Sequence, residues 1–236
     1  MKVLFAFGAG CVLSAPTFAG VFVTSRVTTS REFVTDYRDP VESFEYDTTD
    51  TFIGLGVHNI TMPHFHKAES TVSHTLVYAK FSGEDHYKNY DMGFSDAMTV
   101  LFNVSQAAAN ISITLNGSSD LGSQKPSNPQ FMNAFFLIYN TATNAIVFDS
   151  WDIGQHKFGP PGFDKTSWTD ATWNGVLAPG SYKVMVSASG VHTGNYGTDF
   201  NTYGRGNITA TMTMIPGAST CGLLFPVIAL TMRRRR

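Results

Sequence analysis

Three stretches of the chain alternate between apolar and, Met185 apart, polar positions. Ile111, Ile113 and Leu115 are interleaved with Ser112, Thr114 and Asn116. Tyr182, Val184, Val186 and Ala188 are interleaved with Lys183, Met185, Ser187 and Ser189, and Ile208, Ala210, Met212 and Met214 with Thr209, Thr211 and Thr213. A period of two is the mark of a strand with one face buried and the other wet. Further strands are expected over 21–28, 72–81, 97–105 and 144–151. The run 131–139 (FMNAFFLIY) is apolar almost throughout and reads as a central strand covered on both faces. Asn140 to Asn144 join it to the next strand as a hairpin. Leu177 to Tyr182 form a turn built on Pro179 and Gly180.

No long helical periodicity is present, and 48–62 and 68–73 are too rich in Thr, Gly and His to assign. Eight or nine strands punctuated by turns predict an all-β fold: an antiparallel two-sheet sandwich, jelly-roll-like. The polar stretches 117–130 and 154–162 read as loops within one domain. No internal repeat and no linker divides it.

The ends carry a different kind of information. Lys2, the apolar run 3–13 and the small residues 14–19 have the order of a secretory signal peptide, with Ala19 the last residue removed. At the other end, Ile215, Pro216, Gly217 and Ala218 precede an apolar run, Cys221 to Met232, and four terminal arginines, Arg233, Arg234, Arg235 and Arg236. The apolar run favours lipid, and the arginines resist translocation, so the tail is expected to stop in the inner membrane. At twelve residues the run is shorter than the ~20 of a full span, which suits a cleavable stop as well as a permanent anchor.

This tail resembles the PEP-CTERM sorting signal of exported bacterial proteins: a short Pro-Glu-Pro-type motif, an apolar helix and a basic end. Pro216 stands at the first proline; the glutamate and second proline are absent, while the apolar segment and Arg233 to Arg236 match. The resemblance implies export through the Sec translocon, cleavage by signal peptidase, processing by an exosortase, and a surface or extracellular-matrix location. The chain then divides into a signal peptide (1–19), one sandwich domain (20–214) and a sorting or anchor segment (215–236). Within the domain, Phe94 and Asp96 resemble the Phe-x-Asp-x-aromatic opening of small secreted bacterial β-sandwiches, with Met98 in place of the aromatic.

Removal of the ends alters the charge. Lys2 and the terminal arginines account for five of sixteen basic residues, so eleven face eighteen acidic ones and the domain stands near −7. Nucleic acid, which needs a basic footprint, is disfavoured. Cys11 and Cys221 both lie in the end segments, leaving a domain of about 195 residues without a disulfide, a size that can bury a sufficient core unaided.

Three constellations are candidates for chemistry. His58, His64, His66 and His74 fall in one window, and in extended chain His64 and His66 point to one face, as a zinc or copper pair requires. No HExxH-type spacing accompanies them. Glu84, Asp85, Asp91 and Asp96 are candidate ligands of a structural calcium, without the EF-hand order. Trp151, Trp168 and Trp173 are candidates for stacking on the sugar rings of an extracellular polysaccharide. No catalytic residue is assigned: the domain has no cysteine, no Gly-x-Ser-x-Gly elbow and no phosphate-binding glycine loop. Two functional classes follow. One is a non-enzymatic, surface- or matrix-associated protein that binds polysaccharide or other proteins. The alternative is a carbohydrate-active or metal-dependent enzyme on the same fold.

Overall fold

In a computed structural model, residues 20–36, 44–62, 66–83, 90–105, 107–120, 134–158, 165–193 and 201–216 are described. They form thirteen strands, all paired antiparallel, and one 3₁₀ turn at Ser150–Ile153. One sheet of six strands runs β9 (Ile146–Asp149), β8 (Ala134–Asn140), β12 (Gly180–Thr193), β6 (Tyr90–Ser105), β1 (Gly20–Asp36), β2 (Phe44–Ile53). The other, of seven, runs β10 (Gln155–Lys157), β11 (Lys165–Leu177), β7 (Ala109–Asp120), β13 (Asn201–Pro216), β5 (Leu76–Gly83), β4 (His66–Val72), β3 (Gly56–Thr61). The sheets are joined where the end of β12 pairs with the start of β13, Gly190 opposite Arg205 to Thr193 opposite Asn201.

The expected alternations fill the space between the sheets. Ile111, Ile113 and Leu115 from β7, Val184 and Val186 from β12, and Ile208, Met212 and Met214 from β13 are all buried at 2 % exposure or less. Phe81, Phe102, Phe136 and Ile138 complete this core. Tyr182 packs on Phe102 at 5.5 Å and donates its hydroxyl to the Ala178 carbonyl at 2.8 Å, pinning the turn between β11 and β12.

Strand β1 departs from a simple alternation. Val21 and Val23 face the core, but the register with β6 slips between Val23 and Ser25, leaving Thr24 as an extra residue. One inserted residue exchanges the faces of everything that follows. Arg26, Thr28, Ser30 and Glu32 therefore point inward with no exposure at all, while Val27 lies 40 % exposed on the outside. Thr24 donates its hydroxyl to the Leu101 carbonyl at 3.1 Å, and the Val23 amide donates to His74 Nδ1 at 3.1 Å. The bulge's polar groups are thereby satisfied from both sheets.

Strand β8 is second from its sheet edge, and its exposure alternates. Ala134, Phe136 and Ile138 are buried, with Phe135, Leu137 and Tyr139 half-buried, so the expectation of two covered faces is corrected. Large outward side chains shield one another across β8 and β12, which makes a one-sided strand look apolar throughout. The unassigned stretches at 48–62 and 68–73 form β2, β3 and β4. Strand β13 continues to Pro216, which pairs with Ala109, so sheet pairing extends into the start of the tail motif. Among the described residues no helix is long and apolar enough to cross a membrane; Ala19, Gly217, Ala218 and the run Cys221 to Arg236 lie outside them.

Deleting Thr24 alone leaves a regular ladder with Val23, Ser25 and Arg26 opposite Phe102, Leu101 and Val100, and so keeps Arg26 and Glu32 inward, whereas deleting Thr24 and Ser25 together is expected to force Val27 inward and Arg26 and Glu32 outward. The double-deletion chain should lose its cooperative urea transition. Thr24→Ala keeps the residue count and should cost no more than about 1 kcal/mol, the value of its one hydrogen bond. A double-deletion chain as stable as wild type would show that β1 does not hold Arg26 and Glu32 inward.

Candidate functional site

The inward row of β1 meets polar side chains from both sheets. Arg26 donates from Nε to Thr28 Oγ1 at 3.0 Å, from Nη1 to the Gly56 carbonyl at 2.9 Å, and from Nη2 to Ser70 Oγ. Its guanidinium lies 4.7 Å from the centre of the Phe52 ring. Burial lowers its pKa from the ordinary arginine value, although a guanidinium still keeps its charge at any physiological pH. Gly54 and Gly56, with φ of 126° and 105°, form the turn that Arg26 holds; the Gly54 amide donates to the Arg26 carbonyl at 3.2 Å.

Beside this anchor, His66 of β4 and Asp96 of β6 join the two sheets through a 2.6 Å hydrogen bond between Nε2 and Oδ2, both side chains fully buried. The His66 ring stacks on Phe94 at 5.2 Å. Phe94, Asp96 and Met98, the residues of the Phe-x-Asp-x-aromatic resemblance, thus all point into the interior, at 2 %, 0 % and 1 % exposure. Burial pushes the Asp96 carboxyl above the usual carboxylate range, with the His66 hydrogen bond and charge, and then Ser30, pulling it partly back. Asp96 Oδ1 and His66 Nδ1 have no hydrogen-bond partner among the described residues.

The histidines of the candidate metal set are dispersed. His58 Nε2 binds Asp50 Oδ2 at 2.8 Å and its ring stacks on Phe52 at 4.7 Å. His66 faces Asp96, and His74 receives the Val23 amide. His64 lies outside the described residues, and among those described no three His, Cys, Asp or Glu side chains are grouped to hold a metal ion. Of the candidate calcium ligands, Asp96 is sealed inside, Asp91 lies in the backbone of β6, and Glu84 and Asp85 fall outside the described residues.

The tryptophans do not share a surface. Trp168 is buried at 3 % and donates Nε1 to the Ser150 carbonyl at 2.8 Å. Trp173 packs against Phe148 at 4.9 Å, half-buried over the core. Trp151, half-buried like Trp173, begins a ring stack that the sequence reading missed. It lies 4.2 Å from His156, which lies 6.1 Å from Phe158, both pairs inclined at 28°. Asp149 caps the 3₁₀ turn by accepting the Trp151 amide at 2.9 Å, and His156 Nδ1 is tied to Thr166 Oγ1 at 3.1 Å. Phe158 is 75 % exposed. The signal was the i, i+2 spacing of His156 and Phe158, which puts both rings on one face of β10 and its continuation.

No protein-family model matches the chain, and no curated protein matches it either.

Removing one partner of a buried pair strands the other, at a cost of about 3–5 kcal/mol; His66→Ala is expected to lose this much in urea unfolding. The pH dependence follows from Asp96. Between the ordinary carboxylate pKa near ~4 and its own raised value, the folded chain holds a proton that the unfolded chain has released. Stability from this group is full below that window and falls as pH rises through it. The Tm of Asp96→Asn should therefore climb relative to wild type as pH increases from about 4. A relative decline would mean that the carboxyl is stabilised in its charged form.

Proposed function

We propose that the protein is an exported, envelope-associated β-sandwich that binds polysaccharide without transforming it. One observation carries the reading: the polar cluster of β1, β4 and β6 is enclosed between the sheets and the partly exposed His58–Asp50 pair is closed on itself and on Phe52, whereas the ring stack reaches the surface at Phe158. Arg26, Glu32, His66 and Asp96 have no exposure, and a general acid or base must come within hydrogen-bond reach of its substrate. Their work is to hold β1, β4 and β6 together. Phe158, the exposed end of this stack, instead offers a ring face to the C–H face of a pyranose, with His156 and Trp151 stacked behind it and the tie to Thr166 fixing the central ring beforehand. The acidic domain disfavours polyanionic glycans, which leaves neutral ones as the ligand class.

Export rests on the leader 1–19, and membrane retention on the tail 215–236, as the PEP-CTERM resemblance implies. In this reading the chain leaves through the Sec translocon and loses its leader after Ala19. The Cys221 to Met232 run then holds it in the inner membrane, at least until an exosortase acts near Pro216.

Tryptophan fluorescence titration with dextran and a soluble β-glucan tests the binding reading. Phe158→Ala should weaken binding at least tenfold, and Trp151→Ala several-fold, while neither sugar is hydrolysed. Unchanged affinity in Phe158→Ala, or saccharide products released by the wild-type chain, would overturn it. Fractionation that recovers the uncleaved chain among soluble cytosolic proteins would overturn the export reading.

A further inference from the structure

The two ends of the sandwich differ in charge. Four connections lie at the end where β1 begins and β13 finishes, 73–75, 106–108, 141–145 and 178–179, and a fifth on the same side, 54–55, lies level with Arg26 and Val27. None of them contains an aspartate or glutamate, and neither do the three residues of each strand nearest to them. The connections at the opposite end are 37–43, 63–65, 84–89, 121–133, 158–164 and 194–200, and four of these six contain Asp39, Glu42, Glu84, Asp85, Asp164 and Asp199. In a domain with eighteen acidic residues, one whole end is free of them.

That same end is fringed with exposed apolar side chains on both outer faces. Phe22 is 52 % exposed, Leu101 37 % and Ile146 55 % on the six-stranded sheet, and Val176 64 % and Ile215 60 % on the other. The register aligns them: Val176 and Ile215 both flank Asn110, while Ile146, Tyr139, Lys183 and Leu101 occupy one row across β9, β8, β12 and β6. In that row the Lys183 ammonium sits 5.0 Å from the centre of the Tyr139 ring, an aromatic–cation pairing suited to the headgroup level of a bilayer.

From this placement we infer that the acid-free end is a lipid-facing surface, seated on the phospholipid bilayer that receives the C-terminal run. The inference rests on the membrane-retention reading above. Pro216 is separated from Cys221 by Gly217–Thr220, and five Cα steps span at most about 18 Å. Strand β1, with its 17 residues, is about 55 Å long. A tether so short against a domain so tall keeps the exit end near the lipid once the run is inserted. There the apolar fringe enters the interfacial zone, and the missing carboxylates avoid repulsion from lipid phosphates. The acidic end faces outward, with the domain standing on the membrane.

The test uses the full chain with Cys11→Ala and Cys221→Ala, reconstituted into phosphatidylethanolamine–phosphatidylglycerol vesicles (about 3:1) containing headgroup-level spin-labelled lipid. A fluorophore is placed through Ile146→Cys, Val176→Cys or, at the far end, Phe158→Cys. Quenching should be at least threefold stronger at 146 and 176 than at 158, and Leu101→Asp with Val176→Asp should reduce that at 146 by half or more. Equal quenching at the three positions in a chain that floats with the vesicles overturns the seated end alone. Failure of the chain to float overturns the retention reading as well. A fluorophore response at 146 and 176 that depends on protein concentration and persists without lipid assigns the end to a second copy of the chain, and also overturns the proposal.

Discussion

The bulge at Thr24 decides which residues of β1 face the inside of this sandwich. Before Thr24 the strand contributes Val21 and Val23 to the core; after it, the inward positions are Arg26, Thr28, Ser30 and Glu32. A charged side chain inside a protein is tolerated only with partners, so the bulge commits neighbouring strands to supplying them. Ser70 of β4, the Gly56 carbonyl of β3 and the ring of Phe52 on β2 answer Arg26. The bulge in turn relies on His74 from the β4–β5 turn to take up the Val23 amide. Sheet pairing, turn geometry and the buried polar layer are therefore one coupled arrangement.

The interior is accordingly divided. On one side, Val184, Ile113, Met212 and Phe136 pack as an apolar core that stabilises without direction. On the other, hydrogen bonds that tolerate little displacement align β1 with β4 and β6. Such a polar layer contributes less to net stability than apolar residues of the same volume, but it penalises wrong pairings of the sheets, because any shift leaves a charge without a partner. Among the thirteen strands of the described residues, several of them Thr-rich, that penalty supplies register information that hydrophobic burial lacks.

This division explains which features were legible from residue order. β7, β12 and β13 lie in the apolar half, and their alternation at Ile111 to Leu115, Tyr182 to Ala188 and Ile208 to Met214 announces them directly. β2, β3 and β4 serve the polar half, so Thr, His and Ser occupy positions where a strand pattern leads one to expect Val or Ile. The faces of β1 were hidden because a bulge has no composition signal of its own. The histidines were conspicuous as residues, yet proximity in sequence suggested that they serve one another. His66 instead meets an acid 30 residues away on the opposite sheet. Asp96 itself was a clue: an acid in phase with Phe94 and Met98 on an alternating strand has to find a partner inside.

What remains for the surface follows from what the interior has absorbed. With Arg26, His66 and Asp96 held in the interior, the outer faces carry Ser, Thr and Asn together with exposed ion pairs such as Arg31–Asp47, Glu69–Lys80 and Asp120–Lys165, and two further features stand out there. One is the ring stack from Trp151 to Phe158, on the edge formed by β10. The other is the polarity of the whole domain, with acids concentrated at one end and an acid-free apolar fringe at the other. The two are compatible only in one orientation, because Lys157 of β10 pairs with Lys165, which pairs with Asp120 at the acidic end. A domain resting on its fringe lifts the aromatic stack away from the lipid, to the height at which a polysaccharide beyond the membrane is met. The proposed lipid and glycan contacts thus draw on opposite ends of the domain, and neither depends on the buried cluster except through the fold it aligns.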